Sequence, residues 1–393
     1  MSGVAKNRVL VLNQFALPRS SPGGTRHVEL FGKLQGWRPT LLVGNRSMLN
    51  QAPIKPSGFL KTVPVTPYKG NGFTRIVNWA SYSAGAVLRG AARKPVDVVY
   101  GSSPHLGAAL AGLIVARAHR AKFVLEVRDL WPQILIDART MQESSPIYRS
   151  LKWLERFLYR KADAIVVLAK GSIDAIAAEG VNRSKIRFLP NGADPDDFVV
   201  RRSRQKLRDE FEFAGTVIVY AGAHGPANGL DLALDAADKL QDTDALFVFV
   251  GDGVVKQDLI ADASARGLDN VEFRDPISKD SIPELFAAAD IGLHCLADVA
   301  LFHHGVSPNK LYDYMASGLP VITNTPGEVA SMVNEAESGE AVGPNEIADG
   351  VRRIQALHGS VRSKLGESGK QWMQANRSRR ALAAELESLL TEL

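Results

Sequence analysis

The chain has 393 residues, of which 45% are hydrophobic and 23% are charged, as is usual for a globular protein. The longest apolar stretch, residues 106–116, is far shorter than the roughly 20 residues of a membrane-spanning helix, and the N-terminus lacks a signal-peptide pattern. The single cysteine, Cys295, excludes an internal disulfide framework and favours a reducing cytoplasm. This length predicts two domains.

Positive charge is concentrated in the first half of the chain. Residues 1–193 carry a net charge of +18 and residues 194–393 a net charge of −13, which together give the formal +5. Such asymmetry favours a polyanionic or phosphorylated partner, or an anionic membrane, for the basic half. Attraction between the two halves is the alternative.

In the first half, short β-rich segments alternate with longer helical segments. The predicted strands are 9–13, 39–43, 96–100, 122–127, 164–168 and 186–189. The predicted helices are 25–34, 73–94, 146–161 and 171–179. Strands that alternate with helices of this length indicate a parallel sheet with helices on both faces.

The second half repeats the alternation. The predicted strands are 216–221, 245–250, 271–273, 291–294 and 320–323, and the predicted helices include 201–208, 229–240 and 256–266. We therefore predict two doubly wound, Rossmann-like α/β domains, residues 1–195 and residues 196–370. A C-terminal helix, residues 371–393, is expected to pack back on the first domain. Ligands of such sheets bind beyond the carboxyl ends of the strands, so we expect the active site in a cleft between the domains.

Two motifs follow predicted strands of the first domain. Gly23 and Gly24 precede a helix, where free N–H groups and the helix dipole suit a phosphate, although a tight turn is the simpler interpretation. Arg128 and Asp129, in the segment EVRDLWP, stand at the end of a buried strand, where charged groups are costly unless they are used or paired. They could pair with each other, but we predict a functional role. The mid-chain LPNGAD segment indicates only a turn.

Two further motifs belong to the second domain. The glycine-rich turn AGAHGPANG, residues 221–229, joins a strand to a helix and offers His224 and Asn228 as hydrogen-bond donors. In the segment SPNKLYDYMASG, Lys310 and Asp313 share one face of a helix start, where a cation can hold phosphate and a carboxylate suits ribose hydroxyls. A capped surface helix is the alternative for this segment alone.

The motifs, in this order and spacing, resemble those of retaining glycosyltransferase family 4, whose members have the GT-B fold. The resemblance covers nearly the whole chain and is most specific in its second half. EVRDLWP together with SPNKLYDYMASG is similar to a bacterial branch that builds surface polysaccharides and transfers amino or 6-deoxy sugars. The quoted segments are Gly23-Gly24, LPNGAD at 189–194, VFVGDG at 248–253 and KLYDYMASGLPVI at 310–322.

The resemblance implies residue roles. A family carboxylate expected at the ribose falls at Asp313, whereas its partner eight residues earlier falls at Gly305 and is absent. The two family cations of the phosphate turn fall near His224 and at Asn228, so both are missing. The residues expected at the donor are Gly24, Gly222, His224, Asn228, Arg274, Asn309, Lys310, Leu311 and Asp313.

The resemblance further implies transfer of a hexosyl or N-acetylhexosaminyl group, with retention, from a nucleotide-diphosphate donor bound by residues 196–370 to an acceptor bound by residues 1–195. The donor is expected to be UDP-linked and the acceptor a lipid-linked or other saccharide of cell-surface polysaccharide synthesis, such as lipopolysaccharide. Asp129 and Arg128 are the expected catalytic residues, near the reacting carbon. We expect no cofactor and no metal, and the adjacent pair His303-His304 does not suit zinc.

A predicted helix, residues 146–161, combines basic and aromatic residues. Lys152, Trp153 and Arg156 suit an interfacial helix that contacts a membrane or an acceptor, although a core-packing helix with a basic outer face is the common alternative. Together with the basic first half, this predicts peripheral contact with the cytoplasmic face of an anionic inner membrane.

Other function classes stay open on the sequence alone. A nucleotide-sugar epimerase or hydrolase would share the donor pocket without an acceptor. A basic scaffold or polyanion-binding protein with a degenerate pocket would explain the missing family residues, but no nucleic-acid motif is present and we expect no nucleic-acid partner. A nicotinamide oxidoreductase lacks the dinucleotide fingerprint.

Overall fold

The computed structural model describes residues 7–48, 51–70, 72–103, 105–133, 136, 141–299 and 305–393. The chain divides into two compact units. The first comprises Met1–Pro18, Gly24–Pro190 and Arg380–Leu393, and the second comprises Arg19–Gly23 and Asn191–Arg379. The chain thus leaves the first unit after Pro190 and returns to it after Arg379, whereas the sequence placed these borders at residues 195 and 370.

The first unit is built on a seven-stranded parallel sheet with the order β3-β2-β1-β4-β5-β6-β7. Its central strands are almost entirely apolar, as expected where helices cover both faces. The strands are β1 (Asn7–Leu12), β2 (Trp37–Gly44), β3 (Leu60–Val63), β4 (Val98–Ser102), β5 (Lys122–Val127), β6 (Ala164–Val167) and β7 (Ile186–Phe188).

Helices pack on both faces of this sheet and enclose two apolar clusters. One cluster lies under α2, α3 and α4, and the other lies under α1 and the C-terminal helix α14, whose Leu382, Leu386 and Leu390 are buried. The helices are α1 (Arg26–Phe31), α2 (Phe73–Ala91), α3 (Leu106–His119), α4 (Pro146–Lys161), α5 (Gly171–Ala178) and α14 (Arg379–Glu392).

The second unit has a six-stranded parallel sheet with the order β10-β9-β8-β11-β12-β13. The strands are β8 (Thr216–Ala221), β9 (Ala245–Val250), β10 (Val271–Arg274), β11 (Ile291–His294), β12 (Val321–Thr323) and β13 (Gly339–Ala341). The helices are α6 (Arg204–Glu210), α7 (Leu230–Asp238), α8 (Lys256–Ala265), α9 (Ile282–Ala288), α10 (Asn309–Ser317), α11 (Glu328–Glu335), α12 (Ile347–Ala356) and α13 (Gly359–Asn376).

The two sheets confirm the predicted fold class. Each unit is a doubly wound α/β domain in which the carboxyl ends of the parallel strands share one edge. Two short edge strands were not predicted, β3 and β13, because their sequences LKTV and GEA carry too few apolar residues to give a strand pattern. Within the described part of the chain, no helix has the length and apolar character needed to cross a membrane.

The substitution Leu386→Ala tests the packing of α14 on the first unit. Leu386 is fully buried in the cluster that β1, β2 and α1 share. Its truncation is expected to lower the free energy of unfolding by about 2–5 kcal/mol, because a cavity remains where the side chain was. Chemical denaturation measures the change, and the exposed neighbour Glu385→Ala is the control. Equal stability of both variants would contradict this packing.

Candidate functional site

Two glycine-rich loops meet at the carboxyl ends of β8 and β9. The backbone N–H of His224 donates to the carbonyl of Asp252 at 2.9 Å, and that of Gly222 donates to Val250 at 2.9 Å. Gly251 has φ +154°, and a Cβ there would lie 1.9 Å from the Gly222 carbonyl oxygen. Only glycine permits this approach, so the two loops form one continuous backbone surface.

Lys310, in the first turn of α10, reaches the glycine turn after β8. Its Nζ donates to the Tyr220 hydroxyl at 3.0 Å and to Oδ1 of Asn228 at 2.9 Å, and it lies 4.7 Å from the centre of the Tyr220 ring. A Cβ at Gly222 would lie 2.7 Å from the lysine Cδ. The absence of a side chain at position 222 therefore leaves the space that the Lys310 side chain occupies beside the turn.

The Lys310 ammonium has only neutral partners. No carboxylate among the described residues forms an ion pair with it, and burial lowers its pKa to about 8. Burial likewise lowers the pKa of His294 to about 3 and that of His224 to about 4, so both imidazoles are neutral at pH 7. An uncompensated cation beside free backbone N–H groups is an arrangement that attracts an anion.

Asp313 lies one turn further along α10 and is 8% exposed. Its carboxylate forms an ion pair with the Lys279 ammonium, which also lies 5.5 Å from the centre of the Phe198 ring. The predicted ribose contact is therefore occupied by a lysine. Sequence reasoning missed Lys279, since nothing in the local pattern of a loop residue signals a partner 34 positions away.

The start of α10 is fixed by the mid-chain LPNGAD segment. The Asn191 backbone N–H donates to Oγ of Ser307 at 2.9 Å, and its side-chain amide donates to the Ser307 carbonyl at 2.6 Å. Asn309 follows Pro308 at the helix start, and its buried Oδ1 has no hydrogen-bond partner among the described residues. Leu311 is fully buried in the core, so its side chain cannot contact a ligand as predicted.

Two predicted donor contacts are wrong in side-chain direction. The imidazole of His224 is fully buried beside Phe249 and Phe273, because the backbone bond to Asp252 turns the side chain inward. The Arg274 guanidinium pairs with Glu272, donates to the Phe211 carbonyl at 2.8 Å and stacks 4.7 Å from the centre of the Phe213 ring.

Gly305 takes the place of the absent family carboxylate. Its φ of +117° is one that glycine adopts readily and a side-chain-bearing residue rarely adopts. The local backbone thus differs from one that would present a glutamate. No group of three His, Cys, Asp or Glu side chains suited to a metal occurs in the described residues, and His303 and His304 lie outside them.

The first unit holds a buried polar cluster at the carboxyl ends of its strands. Glu126 at the end of β5 is fully buried and pairs with Arg26 at 3.0 Å and with His27 at 2.7 Å. It also accepts from the Tyr100 hydroxyl at 3.0 Å and the Ser102 hydroxyl at 2.5 Å. Its partners Arg26 and His27 follow the Gly23-Gly24 motif, and Glu126 itself belongs to the segment EVRDLWP. The sequence did not indicate that these two motifs are in contact.

Glu126 is ionised and has a structural role. Burial opposes its ionisation, but His27 and Arg26 outweigh that effect and hold the pKa of the carboxyl well below its usual range. The Arg26 guanidinium also donates to the carbonyls of Leu189 and Pro190 at 2.8 and 2.6 Å. The cluster therefore ties α1 and β5 to the end of the first unit's chain.

Arg128 and Asp129 follow β5 but do not pair with each other in the described structure. The Arg128 backbone N–H donates to Oγ of Ser103 at 3.0 Å, and Asp129 is exposed. Gly24, predicted at the donor, has open space around its Cα. A small, mostly apolar cavity is lined by Ser103, Leu106, Leu125, Val127, Asp129, Trp131, Glu155, Leu158 and Tyr159.

Of the three residues predicted to contact a membrane, one is exposed and two are held in ion pairs. Trp153 on α4 is 61% exposed and stacks on Phe157. Lys152 instead pairs with Glu155 at 2.6 Å and Glu179 at 2.8 Å, and Arg156 pairs with Glu179 at 2.6 Å. The two cations are therefore compensated, contrary to the prediction that they supply free positive charge.

Two family models match the chain. The model for group 1 glycosyl transferases matches residues 203–372, and the model for the glycosyl transferase 4-like domain matches residues 34–192. The first match lies within the second unit, and the second match covers the first unit from residue 34 and extends two residues beyond Pro190; together they account for most of the chain.

Curated relatives include a probable glycosyltransferase, WbjE, of Pseudomonas aeruginosa, which is 29% identical over 65% of this chain and 65% of that protein. A putative colanic acid biosynthesis glycosyl transferase, WcaI, of Escherichia coli K12 is 24% identical over 64% of this chain and 63% of that protein. The chain thus spans just under two thirds of the length of these relatives.

Solved structures share the fold over nearly the full length. Anabaena HepE, crystallised with UDP and glucose, gives a TM-score of 0.73 at 16% identity and covers 98% of this chain and 100% of that one. WaaG, a glycosyltransferase involved in lipopolysaccharide biosynthesis, gives 0.70 at 17% identity over 98% and 99%. Two Rossmann-like domains of this kind define the GT-B fold. The chain belongs to glycosyltransferase family 4, as its motifs had indicated.

The substitution Glu126→Gln tests the buried cluster. It leaves the Arg26 charge uncompensated, so at pH 7 we expect the free energy of unfolding to fall by about 3–5 kcal/mol. A depressed folded-state pKa stabilises the native state above the unfolded pKa of about 4.3 and stops doing so as pH falls towards the folded value. The difference between wild type and variant should therefore shrink below about pH 4.

Denaturant titrations at several pH values measure this difference. The exposed Glu143→Gln is the matched control, and its unfolding free energy is expected to stay within about 0.5 kcal/mol of wild type. A Glu126→Gln variant as stable as this control at pH 7 would refute the structural role of the cluster.

Proposed function

We propose that the protein is a retaining glycosyltransferase that moves a sugar from a nucleotide-diphosphate donor to a saccharide or lipid-linked acceptor in cell-surface polysaccharide synthesis. The observation that carries this proposal is the uncompensated Lys310 ammonium, held beside the glycine turn after β8 by two neutral oxygens. The second unit binds the donor, and the first unit binds the acceptor.

Lys310 replaces the missing cations of the family's phosphate turn. Asn228, at one of those positions, binds the Lys310 Nζ through its Oδ1 at 2.9 Å, so the ammonium sits next to the place of the lost charge. The first N–H groups of α10 and the backbone N–H groups of Ala223 and Gly225 supply further donors. A diphosphate bound there would raise the lysine pKa and strengthen its own binding.

Asp313 is the proposed ribose contact. Its carboxylate accepts from Lys279, and accepting a ribose hydroxyl as well is compatible with the several lone pairs of a carboxylate. Lys279 then orients the Asp313 carboxylate beside a bound nucleoside. UDP is the preferred nucleotide, since HepE of similar fold was crystallised with UDP and with UDP-glucose.

The proposed chemistry breaks the bond between the sugar C1 and the diphosphate oxygen and forms a bond from C1 to an acceptor hydroxyl on the same face. The proton of that hydroxyl passes to the leaving diphosphate. Lys310 and the α10 N-terminus stabilise the charge that develops on the leaving group. Asp129 and Arg128, at the end of β5, are the proposed contacts to the acceptor near C1. No metal takes part in this scheme.

We further propose that the first unit docks on an anionic membrane through α2, α3 and α4. These helices pack side by side, α2 against α3 and α3 against α4. Their sequences contain one carboxylate, Glu155, and that residue is buried. The exposed apolar residues on them are Phe73, Ile76, Val77, Leu88, Ile114, Ile147 and Trp153.

Calorimetric titration with UDP tests the role of Lys310. Because its pKa is about 8, affinity should begin to fall as the pH rises from 7 to 8, and should fall by up to about tenfold per pH unit at higher pH. The loss continues until the higher pKa of the bound state is passed. Lys310→Met should bind UDP about 10–100-fold more weakly, without this pH dependence, because a charge-assisted phosphate contact is lost.

Lys310→Arg is the matched variant, since arginine stays protonated throughout this range and its affinity should vary little with pH. Other neighbours do not interfere, because His224 and His294 titrate far below pH 7 and burial raises the Tyr220 pKa. Undiminished UDP binding by Lys310→Met would remove the basis of the proposal. Turnover of UDP-sugars without any acceptor would favour the hydrolase or epimerase alternative.

Membrane docking is tested by charge reversal at Arg149 and Arg160. Both are exposed on α4 and, unlike Lys152 and Arg156, they have no carboxylate partner in the described structure. At about 1 kcal/mol per basic residue near an anionic surface, the double variant should bind phosphatidylglycerol vesicles at least about tenfold more weakly. Vesicle sedimentation measures this.

Arg201→Glu with Lys364→Glu makes the same charge change on exposed residues of the second unit. This control should retain wild-type vesicle binding. If both double variants lose binding equally, the attraction depends on net charge alone and the α2–α3–α4 surface is not the docking face.

A further inference from the structure

A cluster of aromatic and polar side chains lies at the carboxyl edge of the first unit's sheet. Gln14 and Phe15 follow β1, His105 follows β4 and Trp131 follows β5, three strands that are neighbours in the sheet. Trp79 joins them from α2. Ligands of open α/β sheets bind at this edge.

His105 carries a buried hydrogen-bond donor that has no acceptor among the described residues. The residue is 3% exposed, and its Nδ1 accepts from the Ala108 backbone N–H at 3.1 Å as the N-terminal cap of α3. Burial lowers its pKa to about 3, with a smaller contribution from Arg75, so the ring is neutral. The proton must then be on Nε2, which has no partner among the described residues.

Two neighbouring groups are unsatisfied in the same way. The Trp79 ring stacks on His105, with 5.4 Å between ring centres and 5° between planes, and its buried Nε1–H has no partner in the described structure. Gln14 is 3% exposed and donates to Oδ1 of Asn78 at 2.5 Å, which leaves its Oε1 without a partner.

Unsatisfied buried polar groups cost about 1–3 kcal/mol each, and three in one place call for an explanation. Two of them donate and one accepts, which is the pattern that sugar hydroxyls complement, since each hydroxyl both donates and accepts. Aromatic rings stand beside them: Trp131 lies edge-on to Trp79 at 5.7 Å, and Phe15 lies edge-on to His105 at 5.9 Å.

We propose that Gln14, Trp79 and His105 form the subsite that binds hydroxyl groups of the acceptor saccharide, with Trp131 and Phe15 as its apolar wall. This inference rests on the proposed function, since it names the residues by which the first unit holds an acceptor. Arg75, 5.4 Å from the centre of the Trp79 ring, adds positive charge beside the subsite. An acceptor that bears a carboxylate or phosphate near these hydroxyls would therefore bind more tightly than a neutral one.

Saturation-transfer difference NMR on the full chain tests the subsite. The probes are methyl glucoside, N-acetylglucosamine and glucuronic acid at millimolar concentration. Aromatic protons of the wild-type protein should transfer saturation to at least one of these sugars, and most strongly to glucuronic acid. Trp79→Phe keeps the ring stacking but removes the N–H. His105→Asn keeps an N-cap acceptor for α3 but removes the Nε2 donor. Both variants should lose most of the signal.

Trp372→Phe is the matched control, because that indole N–H is also buried and unpartnered but lies on α13 of the second unit. It should keep the wild-type signal, as should Lys310→Met, which disables only the proposed donor site. Wild-type protein that gives no signal with any of the three sugars, or variants at Trp79 and His105 that keep the full signal, would overturn the inference.

UDP calorimetry on the same samples separates this inference from the proposed function. Trp79→Phe and His105→Asn should bind UDP with wild-type affinity, since both positions lie in the first unit. UDP binding without sugar binding would overturn the acceptor subsite and leave the donor site intact. Sugar binding without UDP binding would support the subsite while the proposed function failed.

Discussion

A half-buried ammonium that has no counter-ion among the described residues is the central feature of the glycine turn in the second unit. Lys310 is held by a phenol hydroxyl and an amide oxygen, and the two nearby imidazoles that interact electrostatically with it, His224 and His294, are kept neutral by burial. Desolvation makes such a cation costly, and its lowered pKa expresses that cost. The stem of the lysine fits only because position 222 is glycine. The turn after β8, the loop after β9 and the start of α10 thus all lie around this positive charge, where they suit an anion.

The buried charge of the first unit, the Glu126 carboxylate, is by contrast fully paired. Glu126 has two basic partners and accepts hydrogen bonds from two hydroxyl groups. Arg26 also donates to the backbone carbonyls of Leu189 and Pro190. A charge whose partners all come from the protein is a structural element, because nothing is left for a ligand to satisfy. Glu126, whose charge is fully paired within the protein, is therefore a structural residue, whereas the charge of Lys310, unpaired among the described residues, is the one that suits a ligand.

The sequence predicts the fold well because hydrophobic alternation directly reflects burial on a parallel sheet. It also predicts Lys310 and Asp313 together at a helix start, because residues three positions apart lie on one face of a helix. It fails where side-chain direction depends on contacts between distant segments. His224 turns inward because of a backbone bond to Asp252, and Arg274 is drawn to Glu272 and Phe213. The two basic partners of Glu126 come from residues 99 and 100 positions away. No local pattern carries that information.

The charge asymmetry of the chain also takes a more specific form in the structure. Lys152 and Arg156, which looked like free cations, are neutralised by Glu155 and Glu179, so net charge by itself does not identify a binding surface. What distinguishes α2, α3 and α4 is that the only carboxylate in their sequences is buried, while Trp153 and Phe73 are exposed among basic residues. An anionic lipid surface satisfies both features at once, since it attracts the cations and accepts the apolar side chains. A polyanion in water would satisfy only the first.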